Sequence, residues 1–284
     1  MSLACVRSVE DLRRQVSRWR CDGAAVALVP TMGALHHGHL SLVEVARRHA
    51  RRVAVSIFVN PKQFGAGEDF AAYPRQEEAD GALLASAGAD LIYAPSPEMI
   101  YPPGFATTVQ VAGVSEGLEG DYRAGHFDGV ATVVTKLLIQ AAPDVAVFGE
   151  KDYQQLQLIR RLAADLDLPC RIVGAPLIRE PDGLAASSRN AYLSPEQRAI
   201  APALSATLFD LAARATAGAP LAALEAEGRD RLLHAGFDHV DYLTFRDAQD
   251  LGGLERLDRP ARLLATARLG RTRLLDNVAV DPSS

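Results

Sequence analysis

Three of the chain's seven histidines lie within four positions, in the segment Pro30-Thr-Met-Gly-Ala-Leu-His-His-Gly-His39. His36 and His39 are three residues apart where a helix is expected to begin, so their side chains can share one face. Helix N-termini present unpaired N–H groups and the positive end of the helix dipole, which favour phosphate. Imidazoles beside them can donate further hydrogen bonds as charge grows on a phosphoryl oxygen. This spacing indicates a nucleotide site, and the alternative is a surface loop that happens to be rich in histidine.

Side-chain amides follow the next apolar run, in Val59-Asn-Pro-Lys-Gln-Phe-Gly65. An amide pair after a buried strand can bind hydroxyl and carboxylate groups without adding net charge. Taken alone, Asn60-Pro61 is more simply the end of a strand, so this segment by itself leaves both interpretations open.

Two further segments combine cations with hydroxyls or carboxylates. In Phe148-Gly-Glu-Lys-Asp-Tyr-Gln-Gln155, Lys151 could place a mobile positive charge over phosphates, and Asp152 could accept from a ribose hydroxyl. In Asp182-Gly-Leu-Ala-Ala-Ser-Ser-Arg-Asn190, two hydroxyls and a guanidinium beside a glycine suit a flexible phosphate-clamping loop. Taken alone, the first segment is also explained by a helix cap with solvated charges. The second segment alone is only weak evidence of a phosphate-binding loop.

Strand-like apolar runs alternate with helical spacing through the first two thirds of the chain. The pattern predicts strands over 24–29, 53–59, 90–93, 145–148 and 171–173, and helices over 40–51, 79–87, 130–141 and 154–166. Strand, crossover helix and strand in repetition imply an α/β fold, a parallel sheet with helices on both faces. Ligands of such sheets bind beyond the carboxyl ends of the strands, which is where every segment above falls.

The composition shifts after about residue 176. Ser194-Pro195-Glu196 opens a long helical stretch rich in alanine and leucine, with Ser194 as N-cap and Pro195 at the first helical position. The runs 240–245 and 262–267 look like strands of a small sheet. We therefore expect two domains, 1–176 and 177–284, of which the second is a smaller α+β unit.

Composition and charge exclude several classes of protein. The chain has 284 residues, of which 48% are hydrophobic, so it can bury a sizeable core and is not disordered. It contains no long uncharged apolar run and does not begin like a secretory signal, so we expect neither a membrane span nor export. A net charge of −5 argues against a nucleic-acid partner. The odd number and wide separation of Cys5, Cys21 and Cys170 argue against disulfides and zinc, and predict a reducing cytoplasm.

Together these segments resemble the pantoate–β-alanine ligase (pantothenate synthetase) family. The motifs are, in chain order, P-T-M-G-x-L-H-x-G-H, S-I-F-V-N-P-x-Q-F, Y-P-R, G-H-F-x-G-V, F-G-E-K-D-Y-Q-Q and D-G-L-A-x-S-S-R-N. The first and last are similar to the HIGH and KMSKS signatures of the nucleotidyltransferase superfamily. The resemblance runs from about residue 25 to 194 and resumes at 240–243 and 267–277, so it covers nearly the whole chain.

The resemblance implies an enzyme that condenses (R)-pantoate with β-alanine through a pantoyl adenylate, using ATP and Mg²⁺ and releasing AMP and pyrophosphate. It also implies a cytoplasmic homodimer. In this homodimer a Rossmann-like N-terminal domain binds ATP and pantoate, and a smaller C-terminal domain covers the site. The expected partners are these small molecules, with no nucleic acid and no membrane.

The resemblance also assigns an ATP site position by position. Its residues are Met32, Gly33, Ala34, Leu35, His36, His37, Gly38, His39, Gly149, Glu150, Lys151, Asp152, Ile178, Ala186, Ser187, Ser188 and Arg189. His39 matches the family's proton donor. The expected catalytic set is completed by His36, Lys151 and Arg189.

The remaining assignments concern the two smaller substrates and the metal. Gln63 and Gln155 match pantoate contacts, and Gln63 lies near β-alanine as well. Arg123 and His126 fall in a segment that forms a flexible wall over the site. Asp80 matches a position near the Mg²⁺.

Some positions depart from the family pattern, and two other functions stay open. His37 stands where an acidic or amide residue is common, Ala124 where proline is frequent, and Ala186 where a larger apolar residue is expected to contact the nucleotide. One alternative is a nucleotidyltransferase that moves AMP onto a phosphate and stops there, which would need a cationic pocket for its acceptor. The other is a silent nucleotide sensor, against which the intact His36 and His39 argue.

Overall fold

The structure is a computed structural model that describes residues 3–65, 70–71 and 73–283. Its contacts divide the chain into two compact units. The first comprises Met1–Glu150 and Gln154–Pro176, and the second comprises Lys151–Tyr153 and Leu177–Ser284. Lys151–Tyr153 therefore interrupts the sequence of the first unit but packs with the second.

The first unit is built on a parallel sheet. Among the described residues its strands are β1 (Cys5–Val6), β2 (Val26–Thr31), β3 (Arg52–Ile57), β4 (Leu91–Tyr93), β5 (Val145–Gly149) and β6 (Arg171–Ala175). Their order across the sheet is β1-β4-β3-β2-β5-β6, and every neighbouring pair is parallel. The chain proceeds from β2 to one side and later returns to β5 on the other side, which makes β2 and β5 the strands of the topological switch point.

Helices cover both faces of this sheet. They are α1 (Val9–Cys21), α2 (His37–His49), α3 (Glu77–Ala87), α4 (Pro97–Ile100), α5 (Glu119–Tyr122), α6 (His126–Ala141) and α7 (Tyr153–Asp165). Along β2, Val26 and Leu28 belong to the hydrophobic core under α1, α6 and α7, whereas Ala27 and Val29 belong to the core under α2 and α3. This alternation explains why the buried strands are continuous apolar runs in the sequence.

The predicted α/β class with helices on both faces is confirmed. Four elements of this unit were not predicted: the two-residue edge strand β1, the helix α1 and the short helices α4 and α5. Helix α2 begins at His37 rather than at residue 40, because His36 caps it.

The second unit contains three helices and an antiparallel sheet among its described residues. They are α8 (Pro195–Ile200), α9 (Ala203–Thr216), α10 (Leu221–Ala235), β7 (His239–Asp247), β8 (Ala261–Leu269) and β9 (Thr272–Val280). The sheet order is β7-β8-β9. The predicted long helical stretch is divided because Pro202 and Pro220, which lack an N–H group, can begin a helix but not continue one.

The strand β9 was not predicted. Its buried positions include the polar residues Asp276 and Asn277, which interrupt the apolar alternation expected of a strand. Among the described helices of both units, none is long and apolar enough to cross a membrane.

Candidate active site

His36 and His39 lie side by side at the start of α2. The backbone N–H of Gly38 donates to His36 Nδ1 at 3.1 Å, and the N–H of His36 donates to His39 Nδ1 at 3.4 Å. The two ring centroids are 4.1 Å apart, so the expectation that these side chains share one face is confirmed. The pair forms a reciprocal capping box with histidines in place of the usual hydroxyl and carboxylate.

This cap determines which ring nitrogen can donate. A neutral imidazole has one N–H donor and one acceptor nitrogen. Because Nδ1 accepts a hydrogen bond in both rings, the neutral form of each carries its proton on Nε2. His36 and His39 therefore present Nε2–H as their donor.

Most backbone N–H groups of this segment have acceptors within the protein. The acceptors are Thr31 Oγ1 for Gly33, the Asp80 carboxylate for Ala34 and Leu35, and the His36 carbonyl for His39 and Leu40, at 2.8 to 3.3 Å. The structure thus differs from the sequence-based expectation of unpaired N–H groups. The donors that remain for a phosphate are chiefly side chains.

The other members of the segment are placed as follows. His37 is exposed, with its ring centroid 5.8 Å from that of His36. The Gly38 carbonyl accepts a hydrogen bond from the Ser41 hydroxyl at 2.8 Å. Met32 is half-buried, and its Sδ accepts a hydrogen bond from Gln63 Nε2 at 3.1 Å.

Gln63 follows β3 in the 3-10 turn Pro61–Gln63, and its side chain is held at both ends. Besides the Nε2 contact with Met32, its Oε1 accepts from Asn60 Nδ2 at 3.1 Å. The amide orientation of Gln63 is therefore determined by the protein before any ligand binds. The contact with Met32 brings together the segments that follow β2 and β3.

Asn60 anchors this turn and is only 1% exposed. Its Nδ2 also donates to the Gly129 carbonyl at 3.1 Å, and its Oδ1 accepts from the Tyr101 hydroxyl at 2.7 Å. Burial raises the pKa of Tyr101, which keeps this hydroxyl protonated as a donor. Every polar atom of the Asn60 side chain is engaged within the protein, so its role is to position the turn.

Helix α6 approaches the turn closely at Gly129. A Cβ atom at this position would lie 2.7 Å from the backbone nitrogen of Gln63, and closer still to the carbonyl of Lys62. Real Cβ atoms do not approach so closely, so glycine is required where α6 packs on the turn that carries Gln63.

Arg123 and His126 also converge on Gln63. His126 is 7% exposed, and its Nδ1 lies 2.8 Å from the Gln63 carbonyl oxygen, which can only accept. The His126 Nδ1 must therefore carry a proton. Its Nε2 lies 3.0 Å from Arg123 Nη1, and Arg123 Nη2 donates to the same carbonyl at 3.4 Å. The two residues of the expected wall thus support the backbone of the expected pantoate contact.

Two adjacent glutamines at the start of α7 differ in their surroundings. Gln154 is 3% exposed; its Oε1 accepts from Glu119 N at 3.0 Å and its Nε2 donates to carbonyls of the 114–117 segment. Gln155 is half-buried. Gln154 is therefore a structural residue, and Gln155 is the one with exposed surface. Gly149 ends β5, and Glu150 begins the 3-10 turn that follows it.

Within the second unit, Lys151 is held by Asn277 of β9. Asn277 Nδ2 donates to the Lys151 carbonyl at 2.9 Å, and Asn277 Oδ1 accepts from Arg262 Nη1 at 3.1 Å. The Arg262 guanidinium lies 4.2 Å from the Tyr153 ring centroid. These contacts explain why Lys151–Tyr153 packs with the second unit. The neighbouring Asp152 is exposed, with its carboxylate 4.0 Å from Lys151 Nζ.

A buried ion pair supports this part of β9. Asp276 is 0% exposed and accepts two hydrogen bonds from Arg179, at 2.7 and 2.8 Å. Burial raises the pKa of Asp276, although Arg179 opposes the rise. Removing one partner of such a pair costs about 3–5 kcal/mol, because the other charge is left buried and unpaired.

The segment 178–189 forms a small hairpin that leads to the serines. Ala186 N donates to the Ile178 carbonyl at 2.9 Å, so these two expected nucleotide contacts are adjacent. Ala186 is buried. Ser187 caps the 3-10 turn Ser188–Tyr192 by accepting Arg189 N at 3.3 Å, and both serines and Arg189 are half-buried.

Contacts within each unit join some of the expected site residues. In the first unit, the histidine segment, Gln63 and the wall residues are joined by hydrogen bonds. In the second unit, the Lys151 carbonyl is bonded to Asn277 of β9, and Ile178 is adjacent to Ala186. The sequence suggested Asn60 as one of a ligand-binding amide pair or as a strand end, but its role in positioning the turn was not predicted. The positioning roles of Gly129 and Asn277 were not predicted either. Asn60 and Gly129 stand inside two of the family motifs and Asn277 inside the matching range 267–277, but the contacts they make across the fold are with residues distant in sequence.

The described residues do not form a metal site of their own. They contain no group of three or more His, Cys, Asp or Glu side chains that could hold an ion. Asp80, the residue expected near Mg²⁺, is 0% exposed, and each of its two oxygens accepts a backbone N–H.

Comparisons with known proteins identify close relatives. The family model for pantoate-beta-alanine ligase matches residues 4–279. A pantothenate synthetase of Paramagnetospirillum magneticum is 62% identical over 277 residues, which are 98% of this chain and 98% of that protein. One from Rhodospirillum rubrum is 57% identical over 98% of this chain and 99% of its own length.

Two solved structures are also similar. The crystal structure of pantothenate synthetase from Thermus thermophilus is 46% identical, with a TM-score of 0.93 over 99% of this chain and 100% of that one. Pantoate-beta-alanine ligase from Francisella tularensis, complexed with Beta-gamma ATP and Beta-alanine, is 32% identical. Its TM-score is 0.78 over 98% of this chain and 97% of that one.

Proposed function

The chain belongs to the pantoate–β-alanine ligase family, and on that premise we propose how its residues divide the work of one reaction. The reaction is the ATP-dependent condensation of (R)-pantoate with β-alanine, which yields pantothenate, AMP and pyrophosphate through pantoyl adenylate. The enzyme is an AMP-forming carbon–nitrogen ligase.

Adenylation supplies a leaving group that the carboxylate lacks. Direct attack of an amine on a carboxylate would have to expel oxide. Attack of the pantoate carboxylate on the α-phosphorus instead forms an acyl adenylate and releases pyrophosphate. The protein has to position the carboxylate in line with that phosphorus and stabilise the charge that develops on the phosphate oxygens.

We assign phosphate stabilisation in the first unit to His36 and His39. Because Nδ1 accepts a hydrogen bond in the cap, Nε2–H is the donor of each neutral ring, and the two rings lie side by side. A side-chain donor placed where charge develops typically lowers the energy of the transition state by about 3 kcal/mol. His39 also matches the family's proton donor.

We assign the neutralisation of the departing pyrophosphate to Lys151 and Arg189, with Ser187 and Ser188 as hydroxyl donors. The support from the structure is that Asn277 holds the Lys151 backbone and that the cap at Ser187 orients the turn bearing Ser188 and Arg189. The backbones of Gly149, Glu150, Asp152, Ile178 and Ala186 complete the proposed nucleotide site. The unit at 177–284 is proposed to be the smaller domain that covers it.

We assign pantoate binding to Gln63 and Gln155, with Gln63 also beside β-alanine. The support is that Gln63 is pre-oriented by Met32 and Asn60, while Arg123 and His126 hold its backbone. Uncharged amides can bind the hydroxyls and carboxylate of pantoate and leave that carboxylate more nucleophilic than an arginine would.

In the second half-reaction the amine of β-alanine attacks the acyl carbon and AMP leaves. An alkylammonium group has a pKa of about 10, by analogy with lysine, so the amine must lose a proton before it attacks. We assign no side chain as the base and propose that the neutral amine is captured from solution.

We further propose that Mg²⁺ arrives with ATP, that the enzyme is a homodimer and that it works in the cytoplasm. Mg²⁺ commonly binds through substrate phosphates and waters, where it neutralises phosphate charge. The described residues offer no protein cage for the ion, so we assign it no residue-mediated step.

The family match supports the reaction. The adjacent rings of His36 and His39, each with Nε2–H as its donor, support the assignment of residues. The test is incubation with ATP, pantoate and β-alanine, with each omitted in turn, scored for AMP and ADP. We expect AMP only when pantoate is present, and ADP as the stoichiometric product would overturn the assignment. AMP transfer to a phosphorylated acceptor would indicate the nucleotidyltransferase alternative, and ATP binding without turnover would indicate a sensor.

A further inference from the structure

Asp80 is a buried carboxylate that the proposed reaction does not use. It lies in the first turn of α3 and is 0% exposed. Its Oδ2 accepts the N–H of Ala34 at 3.0 Å, and its Oδ1 accepts the N–H of Leu35 at 2.9 Å. Each carboxylate oxygen thus binds one of two successive amides in the loop that leads to the histidines.

The loop adopts a conformation that needs such support. Gly33 has a φ of 82° and Ala34 a φ of 52°, so two consecutive residues lie in the left-handed region. That region suits glycine, but for alanine it is strained. Both Ala34 and Leu35 are 6% exposed, so their N–H groups would lack a partner if Asp80 were absent.

The fit between loop and carboxylate is also steric. A Cβ atom at Gly33 would lie 3.0 Å from Asp80 Oδ2 and 3.2 Å from Ile57 Cγ2, so a side chain here would press on both neighbours in addition to the strain of a positive φ. Successive amides in such a turn form a concave anion site, and here the anion is supplied by the protein itself.

This geometry does not fit the expected role of Asp80 as a residue for Mg²⁺. Both oxygens are already engaged, the side chain is inaccessible, and the described residues place no group of metal-ligating side chains around it. A resident magnesium ligand would normally face the phosphates or water.

We propose that Asp80 is a positioning residue: it binds the backbone of Ala34 and Leu35 and thereby sets the loop that leads into α2, whose start carries His36 and His39. The inference rests on the proposed function only for the role of the histidines. The carboxylate–loop contact itself is independent of any substrate.

The test compares Asp80→Asn with Glu78→Gln. Both remove a carboxylate charge from the first turn of α3, but Glu78 is exposed and serves as the matched control. Hydrogen exchange is first measured at Ala34 and Leu35 in the free enzyme, without nucleotide and with a chelator present. We expect exchange in Asp80→Asn to accelerate by about tenfold or more at whichever of the two N–H groups faces the new side-chain nitrogen, because that nitrogen cannot accept a hydrogen bond. We expect wild-type exchange in Glu78→Gln, and wild-type exchange in Asp80→Asn would overturn the proposal.

The second readout is the Mg²⁺ dependence of AMP formation. A positioning role predicts that Asp80→Asn lowers the maximal rate about tenfold or more while the half-saturating Mg²⁺ concentration stays at the wild-type value. A rate restored by excess Mg²⁺ would contradict the proposal and indicate a ligand. If the wild-type enzyme forms no AMP, the proposed function fails, but the exchange result still decides the role of Asp80.

A second-site variant keeps the test decisive. Glycine adopts a positive φ without steric strain, so Ala34→Gly in the Asp80→Asn background should recover part of the lost rate. Absence of rescue would count against loop positioning. If Asp80→Asn does not fold, Gly33→Ala disturbs the same contact from the loop side. It should accelerate exchange at Ala34 and Leu35 with the Mg²⁺ dependence unchanged, and wild-type exchange there would overturn the proposal.

Discussion

The imidazole of His39 accepts the backbone N–H of His36 at 3.4 Å, so a proposed catalytic side chain also defines where helix α2 begins. His36 returns the interaction by accepting the N–H of Gly38. The rings of His36 and His39 therefore both cap the helix and carry the proposed phosphate donors. A simple alanine substitution at either position would remove both functions together.

Separating the two functions requires a residue that caps but does not donate as imidazole does. Asparagine is among the best N-cap residues, whereas alanine at a cap costs about 1 kcal/mol. We expect His36→Asn to keep nearly wild-type thermal stability, and His36→Ala to lose about 1 kcal/mol. Both should slow adenylate formation by about tenfold or more. Single-turnover rates near wild type in His36→Asn would remove His36 from the catalytic set.

Lys151 and Asn277 test the assignments in the second unit. Lys151→Ala should lower the rate of adenylate formation by a factor of roughly 10² or more, because it removes a cation from the transferring phosphates. Asn277→Ala leaves that cation but frees the Lys151 carbonyl, so we expect a smaller loss, about tenfold. Pre-steady-state measurement of pyrophosphate release gives both values. A wild-type rate of adenylate formation in Lys151→Ala would contradict the proposed role of Lys151.

Gln63 should act on pantoate rather than on ATP. Losing a hydrogen bond to a buried partner costs about 1–3 kcal/mol, so Gln63→Ala should weaken pantoate binding by about tenfold or more. Gln63→Glu should bind pantoate more weakly still, because a second carboxylate would face that of the substrate. Calorimetry with each ligand checks this. Loss of ATP affinity with pantoate affinity intact would show that Gln63 does not belong to the pantoate subsite.

Two helical glycines should respond in opposite directions to the same substitution. At Gly129 an added Cβ collides with the backbone of the 61–63 turn, so Gly129→Ala should destabilise the protein by about 1–3 kcal/mol and weaken pantoate binding. At Gly81 in α3 the nearest atom is Ile92 Cδ1 at an ordinary 3.5 Å. Gly81→Ala should therefore stabilise by about 0.4–1 kcal/mol and leave pantoate binding unchanged. Thermal melts and calorimetry check both, and equal effects at the two sites would contradict the packing argument.

Much of the first unit's fold could be predicted because local signals and tertiary structure agree. Buried strands such as β2 are apolar on both faces, and glycine or proline marks several of their ends. Helix α1 could also have been predicted, since Ser8 caps it and Leu12, Val16 and Trp19 have helical spacing. The strand β1 has only two residues, which is too short to leave a pattern.

The positioning contacts of the site could not be predicted because they join segments far apart in the chain. Asp80 is 46 residues from Ala34, and Asn60 is 69 residues from Gly129. A sequence shows that Asn60 ends a strand, but not that its amide also orients Gln63. Likewise, a predicted helix start suggests unpaired backbone N–H groups. In the fold, most of these groups have acceptors within the protein.

The transfer of oxygen from pantoate to AMP tests the central claim most directly. In the proposed sequence, a carboxylate oxygen attacks the α-phosphorus and pyrophosphate leaves. The amine then breaks the carbon–oxygen bond, so that oxygen departs with AMP. Pantoate carrying a heavy oxygen isotope in its carboxylate should therefore yield AMP with one labelled oxygen, as read by mass spectrometry. Unlabelled AMP would contradict the account, whereas pantothenate keeps one carboxylate oxygen of pantoate in its amide under either outcome.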